Sequence, residues 1–252
     1  MNPRSSGRLR TRGRRRRVCG ILGLLGLLLA ASGAPAEPLP RGLAALFPRS
    51  AAYDFEPPAS GSYALPVLKR SPDGQVLDHQ GQTRRLGEVL DGRYSLVSFV
   101  YLFCSDQNGC PLALSTLFDI HEASAEVPGL REKLQLVTLS FDPARDTPEA
   151  LSSFAYPVLA DPEAARKLDW HFLTTRSLEE LQPLLDGFGQ VVDRSGDGET
   201  LRHLLRLFLV DDEGRVRNVY GLGMIDPRLL MTDIETLLIE AEATASAPVP
   251  RP

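Results

Sequence analysis

Apolar residues run almost unbroken along Ser95-Leu96-Val97-Ser98-Phe99-Val100-Tyr101-Leu102-Phe103. A run of this length, rich in β-branched and aromatic side chains, predicts a central strand buried on both faces. Residues 134–141 (LQLVTLSF) predict a second. Between them Leu114, Leu117, Phe118 and His121 fall at i, i+3, i+4 and i+7, one face of a helix. Pro111 stands at its first helical position and Cys110 at its cap. Thr147-Pro148-Glu149 predicts another helix start, with Asp146 or Thr147 as cap and Leu151 and Phe154 on the inner side. Asp161-Pro162-Glu163 opens a short helix to about Leu168, and residues 170–173 read as a short strand. Ser177 and Glu180 form a capping-box pair for a helix burying Leu178, Leu181, Leu185 and Phe188, with Pro183 expected to kink it or shift its start. Residues 204–210 and 215–220 flank Asp211-Asp212-Glu213-Gly214 and predict an antiparallel hairpin. Asp226-Pro227 begins a last helix that turns Leu230, Ile234, Leu237, Leu238 and Ala241 to one side. Upstream, residues 64–68 and 75–78 around Ser71-Pro72-Asp73-Gly74 predict a small β-hairpin.

This order is βαβα, one or two helices, then ββα. Alternating strands and helices imply a right-handed parallel unit, and the closing hairpin adds antiparallel strands. The expected class is α/β with a thioredoxin-like arrangement, a central mixed sheet flanked by helices, and an N-terminal β-hairpin extension.

The pattern fails at both ends. Residues 1–36 hold a basic stretch, an apolar leucine-rich run at 18–31 and the small-x-small triplet Ala34-Pro35-Ala36. This is the layout of an export signal. The apolar run is shorter than the ~20 residues of a usual membrane span, and an uncleaved anchor is the alternative. Residues 37–62 read as a Pro/Ala-rich linker, 63–243 as the folded domain and 244–252 as a flexible tail. The expected location is outside the cytoplasm, in a bacterial periplasm, soluble or tethered to the inner membrane.

Charge sharpens this. The formal charge is −4. The first 36 residues carry eight arginines and no acid, so the remainder has 20 basic against 32 acidic residues, a charge of −12. A body this acidic argues against nucleic acid as a partner, because phosphate contacts need basic surface. Of three cysteines, Cys19 lies in the export segment, leaving Cys104 and Cys110. In an oxidising compartment a single pair is bridged or used.

The pair sits at a strand-to-helix corner. A cysteine at a helix amino-terminus meets unpaired N–H groups and the positive dipole end, so Cys110 is expected to have a depressed pKa. Five residues separate the cysteines, and Asn108-Gly109 supplies turn chemistry. The sulfurs can form a disulfide or ligate a metal. His203 stands directly before a core strand whose end can approach that corner, and two thiolates with one imidazole make a soft site suited to copper. Asp142, just after a core strand, is a candidate outer acceptor near such a metal. His121 reads as a packed, hydrogen-bonded residue, His79 as solvated, and His171 as part of a short strand.

These residues resemble the Sco/SenC family. The resemblance rests on Phe99-Val100-Tyr101 leading into the cysteine loop, on Cys110-Pro111-Leu112, and on Ser140-Phe141-Asp142-Pro143 through Asp146-Thr147-Pro148. It extends to Trp170 with Phe172-Leu173-Thr174, and to His203 ahead of a strand followed by Asp211, Gly214 and Arg215. It implies an exported or membrane-anchored, thioredoxin-like, copper-binding assembly factor. Cys104, Cys110 and His203 would hold one copper, Cu(I) or Cu(II). The implied partner is a copper-accepting protein such as cytochrome c oxidase subunit II or another cuproenzyme, served as metal donor or thiol reductant. The family normally has three residues between its cysteines and this chain has five. The alternative is a metal-independent periplasmic thiol–disulfide oxidoreductase using Cys104 and Cys110 as a redox pair. A third reading is a binding module with a structural disulfide.

Overall fold

The computed structural model describes residues 41–104, 106, 109–194 and 201–246. The expected export segment, the first residues of the expected linker, Ser105, Gln107 and Asn108 of the cysteine loop, residues 195–200 and the end of the tail lie outside them. Among the described residues no helix is long and apolar enough to cross a membrane.

The two apolar runs become β4 (Tyr94–Val100) and β5 (Leu134–Ser140), every residue buried. They pair in parallel, Leu96 opposite Leu136 and Phe99 opposite Leu139. β6 (Asp169–Thr174) adds in parallel to β5. On the other side of β4 lies β9 (Arg206–Val210), antiparallel, followed by its hairpin partner β10 (Arg215–Gly221). Asp211 closes that hairpin by accepting the N–H groups of Glu213 and Arg215, and Gly214 supplies the positive φ of 73°. Short β1 (Lys69–Arg70), β2 (Gln75–Asp78) and β3 (Thr83–Arg85) complete an eight-stranded mixed sheet in the order β1-β10-β9-β4-β5-β6-β2-β3.

Period-two alternation assigns the two faces. Leu96, Leu136, Leu207 and Leu209 pack under α2 (Cys110–Ala123), α3 (Pro148–Leu159) and α5 (Pro227–Ser246). Val97, Phe99, Val137, Leu139, Phe208 and Val210 pack under α1 (Leu86–Leu90) and α4 (Leu178–Phe188). Phe99, Phe188 and Phe208 meet edge-to-face there, with centroids 5.0 to 5.7 Å apart.

Several details differ from the expectation. The early hairpin joins β2 to β3, with Leu77 opposite Thr83, and residues 64–68 take no part in it. β1 pairs with β10 at the opposite edge. The buried face of α2 is Ala113, Leu117, Ile120 and His121, while Leu114 and Phe118 are half-buried, a rotation of about one position. α4 continues through Pro183, because that residue lies on the exposed side, where the carbonyl it leaves unpaired meets water. Ala241 is exposed, and α5 is instead buried on all sides from Arg228 to Leu238.

That burial comes from the Pro/Ala-rich stretch expected as a linker. From residue 41 it runs along α5. Glu235 accepts the N–H groups of Gly42 and Leu43 and the hydroxyl of Ser60. Thr236 accepts the N–H of Gly61, and Tyr63 donates to Asp233. Asp233 also receives Tyr220 at 2.6 Å and Asn218 at 2.7 Å. Sheet and strap thus enclose the helix from both sides.

Candidate metal centre

The centre forms where β4 ends and α2 begins. After Val100 the chain leaves the sheet, and the N–H of Leu102 donates to Asp146 at 3.1 Å. The Cys104 N–H turns back to the carbonyl of Tyr101, and the Gly109 N–H to that of Asp106, at 3.2 and 2.8 Å. The second turn takes up chain length, so the loop returns to α2 close to where it left. A Cβ on Gly109 would lie 3.3 Å from the Cys104 sulfur and 3.1 Å from the Asp106 carbonyl oxygen, so a side chain here would press on both. Gly109 is the cap residue and Cys110 the first residue of α2, with Pro111 second.

Both cysteines are free thiols, Cys110 buried and Cys104 half-buried. His203 comes from β8 (Arg202–His203), which pairs with β7 (Val192–Asp193) in a separate two-stranded ribbon. Its imidazole packs on Phe141 at 4.7 Å between centroids and meets the edge of Tyr101 at 6.1 Å. These rings aim Nε2 at the Cys110 sulfur, 3.6 Å away. The sulfurs of Cys104 and Cys110 and a ring nitrogen of His203 all lie within 4.8 Å of one another. Among the described residues, no other group of three metal-ligating side chains converges.

The spacing suits one ion. Ligands about 2.0–2.3 Å from a common centre lie roughly 3.7–4.0 Å apart in a trigonal plane. Two sulfurs and an imidazole nitrogen are donors for a soft cation. A cavity of about 570 Å³ opens beside them, lined by Tyr101, Cys104, Gly109, His203, Leu204 and Leu222 among others.

Protonation departs from the expectation for Cys110. Burial pushes its thiol well above the ordinary value, and the nearby Cys104 sulfur adds to the rise. Cys110 packs with Phe99, Val100, Phe141 and Leu201, and loss of water in that apolar cluster outweighs the backbone donors that favour thiolate. Burial also lowers His203, against a smaller pull from the Asp106 carboxylate, leaving a neutral imidazole with a lone pair to donate. The metal-free pair is therefore held as thiol at Cys110, and a bound cation supplies the charge that makes thiolate favourable there.

Asp142 does not touch the three candidate ligands in any described contact. Its carboxylate pairs with Arg145, whose guanidinium lies 5.8 Å from the centroid of Tyr101, the ring against His203. Asp142 therefore reaches the centre at two removes. Thr147 is the cap of α3, accepting from Ala150, which frees Asp146 for the bond to Leu102. His121 is packed, as expected, 5.7 Å from the Trp170 ring, but its Nδ1 has no hydrogen-bond partner. His79 and His171 line a separate cavity of about 250 Å³ under β2. Tyr101, Phe141 and Asp146 escaped sequence reasoning as site-shaping residues, whereas Gly109 was expected to shape the loop as part of its turn. Tyr101 and Phe141 read only as strand hydrophobics, and Asp146 only as a cap.

Fold and centre together define a thioredoxin-like protein whose strand-to-helix corner gathers two thiols and one imidazole. The profile of the SCO1/SenC family matches residues 71–239, and the chain belongs to that family. A protein of Stutzerimonas stutzeri named for copper binding is 30% identical over 179 residues, covering 66% of this chain and 79% of its own. The apo Sco1 protein of Thermus thermophilus superimposes with a TM-score of 0.54 at 26% identity, over 71% of this chain and 98% of that one. A SCO1/SenC family lipoprotein of Bacillus anthracis gives 0.57 at 23% identity, over 69% and 97%, a likeness of fold.

Proposed function

We propose that this chain is an exported copper-binding assembly factor that holds one copper ion on Cys104, Cys110 and His203 and passes it to an acceptor protein. The observation that carries the reading is the convergence of the two sulfurs and the imidazole nitrogen within 4.8 Å. Family membership and the copper-binding name of the Stutzerimonas relative support it.

Copper is the cargo. On binding, both thiols give up their protons to solvent and the sulfurs ligate as thiolates. The neutral imidazole of His203 completes the set without a proton to lose. Cys104 and His203 are half-buried beside the cavity, whereas Cys110 is 1% exposed. An incoming donor from the acceptor therefore replaces Cys104 and His203 first and Cys110 last. Asp142 acts through Arg145 to fix Tyr101, and through it the imidazole. The acceptor in this reading is a cuproprotein such as subunit II of cytochrome c oxidase, and residues 1–36 carry the chain out of the cytoplasm or tether it to the membrane.

The test is anaerobic titration of the reduced protein with Cu(I) and Cu(II). The expected result is one equivalent of each, with a thiolate-to-Cu(II) absorption band lost in Cys104→Ser, Cys110→Ser and His203→Ala. Failure of both ions to bind overturns the reading.

A metal-independent thiol–disulfide oxidoreductase is favoured by one observation, the two free thiols facing each other. There the pair gives two electrons and two protons to a partner disulfide, which leaves as two thiols. Indifference of function to His203→Ala supports that reading against the first.

A further inference from the structure

Asp146 is fully buried, yet no ion pair among the described residues neutralises it. One carboxylate oxygen accepts the Leu102 N–H at 3.1 Å and the Ser140 hydroxyl at 2.6 Å. The other oxygen is buried with no hydrogen-bond partner. Burying a carboxylate with half its capacity unmet is unfavourable, so such a group is retained for what it holds in place. Helix capping does not explain it, because Thr147 performs that task.

What Asp146 holds is the departure of the chain from β4. Leu102 lies two residues before Cys104, beyond the last sheet pairing of β4 at Val100. Past that point, the Leu102 N–H ties the departing chain to Asp146 in the body of the protein before α2 begins. The next is local, from Cys104 to Tyr101. Ser140, the last residue of β5, locks the carboxylate from the other side, and its hydroxyl also receives the Asp142 N–H at 2.9 Å. The end of β5 thus fixes the start of the cysteine loop through one side chain.

We infer that Asp146 is the positioning residue for Cys104: by anchoring the Leu102 N–H it sets the separation of the Cys104 sulfur from Cys110 and His203. Cys110 needs no such device, being fixed by α2 and by burial. The inference rests on the proposed copper site for one of its two readouts and stands without copper for the other.

The metal-free readout is the equilibrium of the reduced protein with glutathione disulfide. Oxidised glutathione takes two electrons from the pair, a Cys104–Cys110 disulfide forms, and two glutathione thiols are released. The equilibrium constant measures how well the sulfurs are held together. In Asp146→Ala, which removes the acceptor of the Leu102 N–H, it is expected to fall about tenfold, and the Leu102 amide, expected to be protected from hydrogen exchange in the wild type, becomes exchangeable. With copper, affinity is expected to fall about 10- to 100-fold, as for other groups that orient metal ligands, with a displaced thiolate-to-Cu(II) band. Thr147→Ala, which weakens α3 without touching Leu102, is expected to lower thermal stability and leave the disulfide equilibrium and the band unchanged. If Asp146→Ala does not fold, Ser140→Ala removes one of the two groups locking the carboxylate and is expected to shift both readouts the same way by less.

Absence of copper binding in the wild type refutes the proposed function and leaves the glutathione readout to decide on Asp146. A folded Asp146→Ala with wild-type disulfide equilibrium and unchanged Leu102 exchange overturns the inference, as does a Ser140→Ala variant unchanged in both where the first variant cannot fold.

Discussion

The thiol corner and the α5 face are built by opposite means. Along α5, side chains from Arg228 to Leu238 are all buried, and the strap of residues 41–63 closes over them through Glu235, Thr236 and Asp233. At the corner, Cys104 and His203 are half-buried beside an open cavity, and their positions depend on single backbone hydrogen bonds and ring contacts. Stability is concentrated where there is no chemistry. The candidate ligands sit where packing is incomplete, beside a cavity.

The difference can be broken most sharply at Ile234, fully buried in α5. Ile234→Ala is expected to cost roughly 2–5 kcal/mol in urea unfolding, while the copper-loaded spectrum of the folded fraction stays as in the wild type. A changed spectrum would tie the two regions together. Next in size is Glu235→Ala, which strips the acceptor from the Gly42 and Leu43 N–H groups. It is expected to cost about 1–3 kcal/mol and to make residues near 42 and 60 susceptible to limited proteolysis.

How much of this was legible in the sequence follows the same division. The central strands and the helices of the core could be read because burial on both sheet faces leaves continuous apolar runs at 95–103 and 134–141. β3 could not, because Thr83–Arg85 is an exposed edge with no apolar position. The strap could not, because its hold on α5 runs through backbone N–H groups and the hydroxyls of Ser60 and Tyr63, which Pro/Ala-rich composition does not reveal. At the site, Cys104, Cys110 and His203 were legible through motif order, and the structure brings all three together. The high pKa of Cys110 was not. A helix position is local and readable, but burial depends on Phe141 and Leu201, far off in sequence. Asp146 was hidden because Asp and Thr are equally good caps, and only the tertiary fold shows which of them is free for Leu102.

A smaller effect is the response to acid. His121 and His171 are both held below the ordinary histidine value, first by burial and then by cations, Lys167 beside His121 and Arg93 beside His171. The unfolded chain takes up these protons near pH 6.5, while the folded chain resists until lower pH. Stability is therefore full above that value and falls as pH drops through it, by at most about 1.4 kcal/mol per pH unit per histidine. His203 adds a contribution of the same sign. Urea titrations from pH 7.5 to 5 should show the decline, and His121→Gln with His171→Gln should flatten most of it. A flat wild-type profile would contradict the burial of these imidazoles.

Gly109→Ala is expected to have the smallest effect on stability, within about 1 kcal/mol, and yet to act on the centre directly. Its new Cβ, 3.3 Å from the Cys104 sulfur, pushes that sulfur outward. Copper affinity should fall about tenfold with the unfolding midpoint nearly unchanged. An unchanged affinity would mean that Cys104 is free to move aside and that the loop does not set its position.

The most direct test of the central claim is X-ray absorption at the copper edge of the Cu(I)-loaded protein, run beside His203→Ala. The account predicts a first shell of two sulfurs and one nitrogen in the wild type, and loss of the nitrogen alone in the variant. A wild-type shell of two sulfurs only, or one that His203→Ala leaves intact, would contradict it.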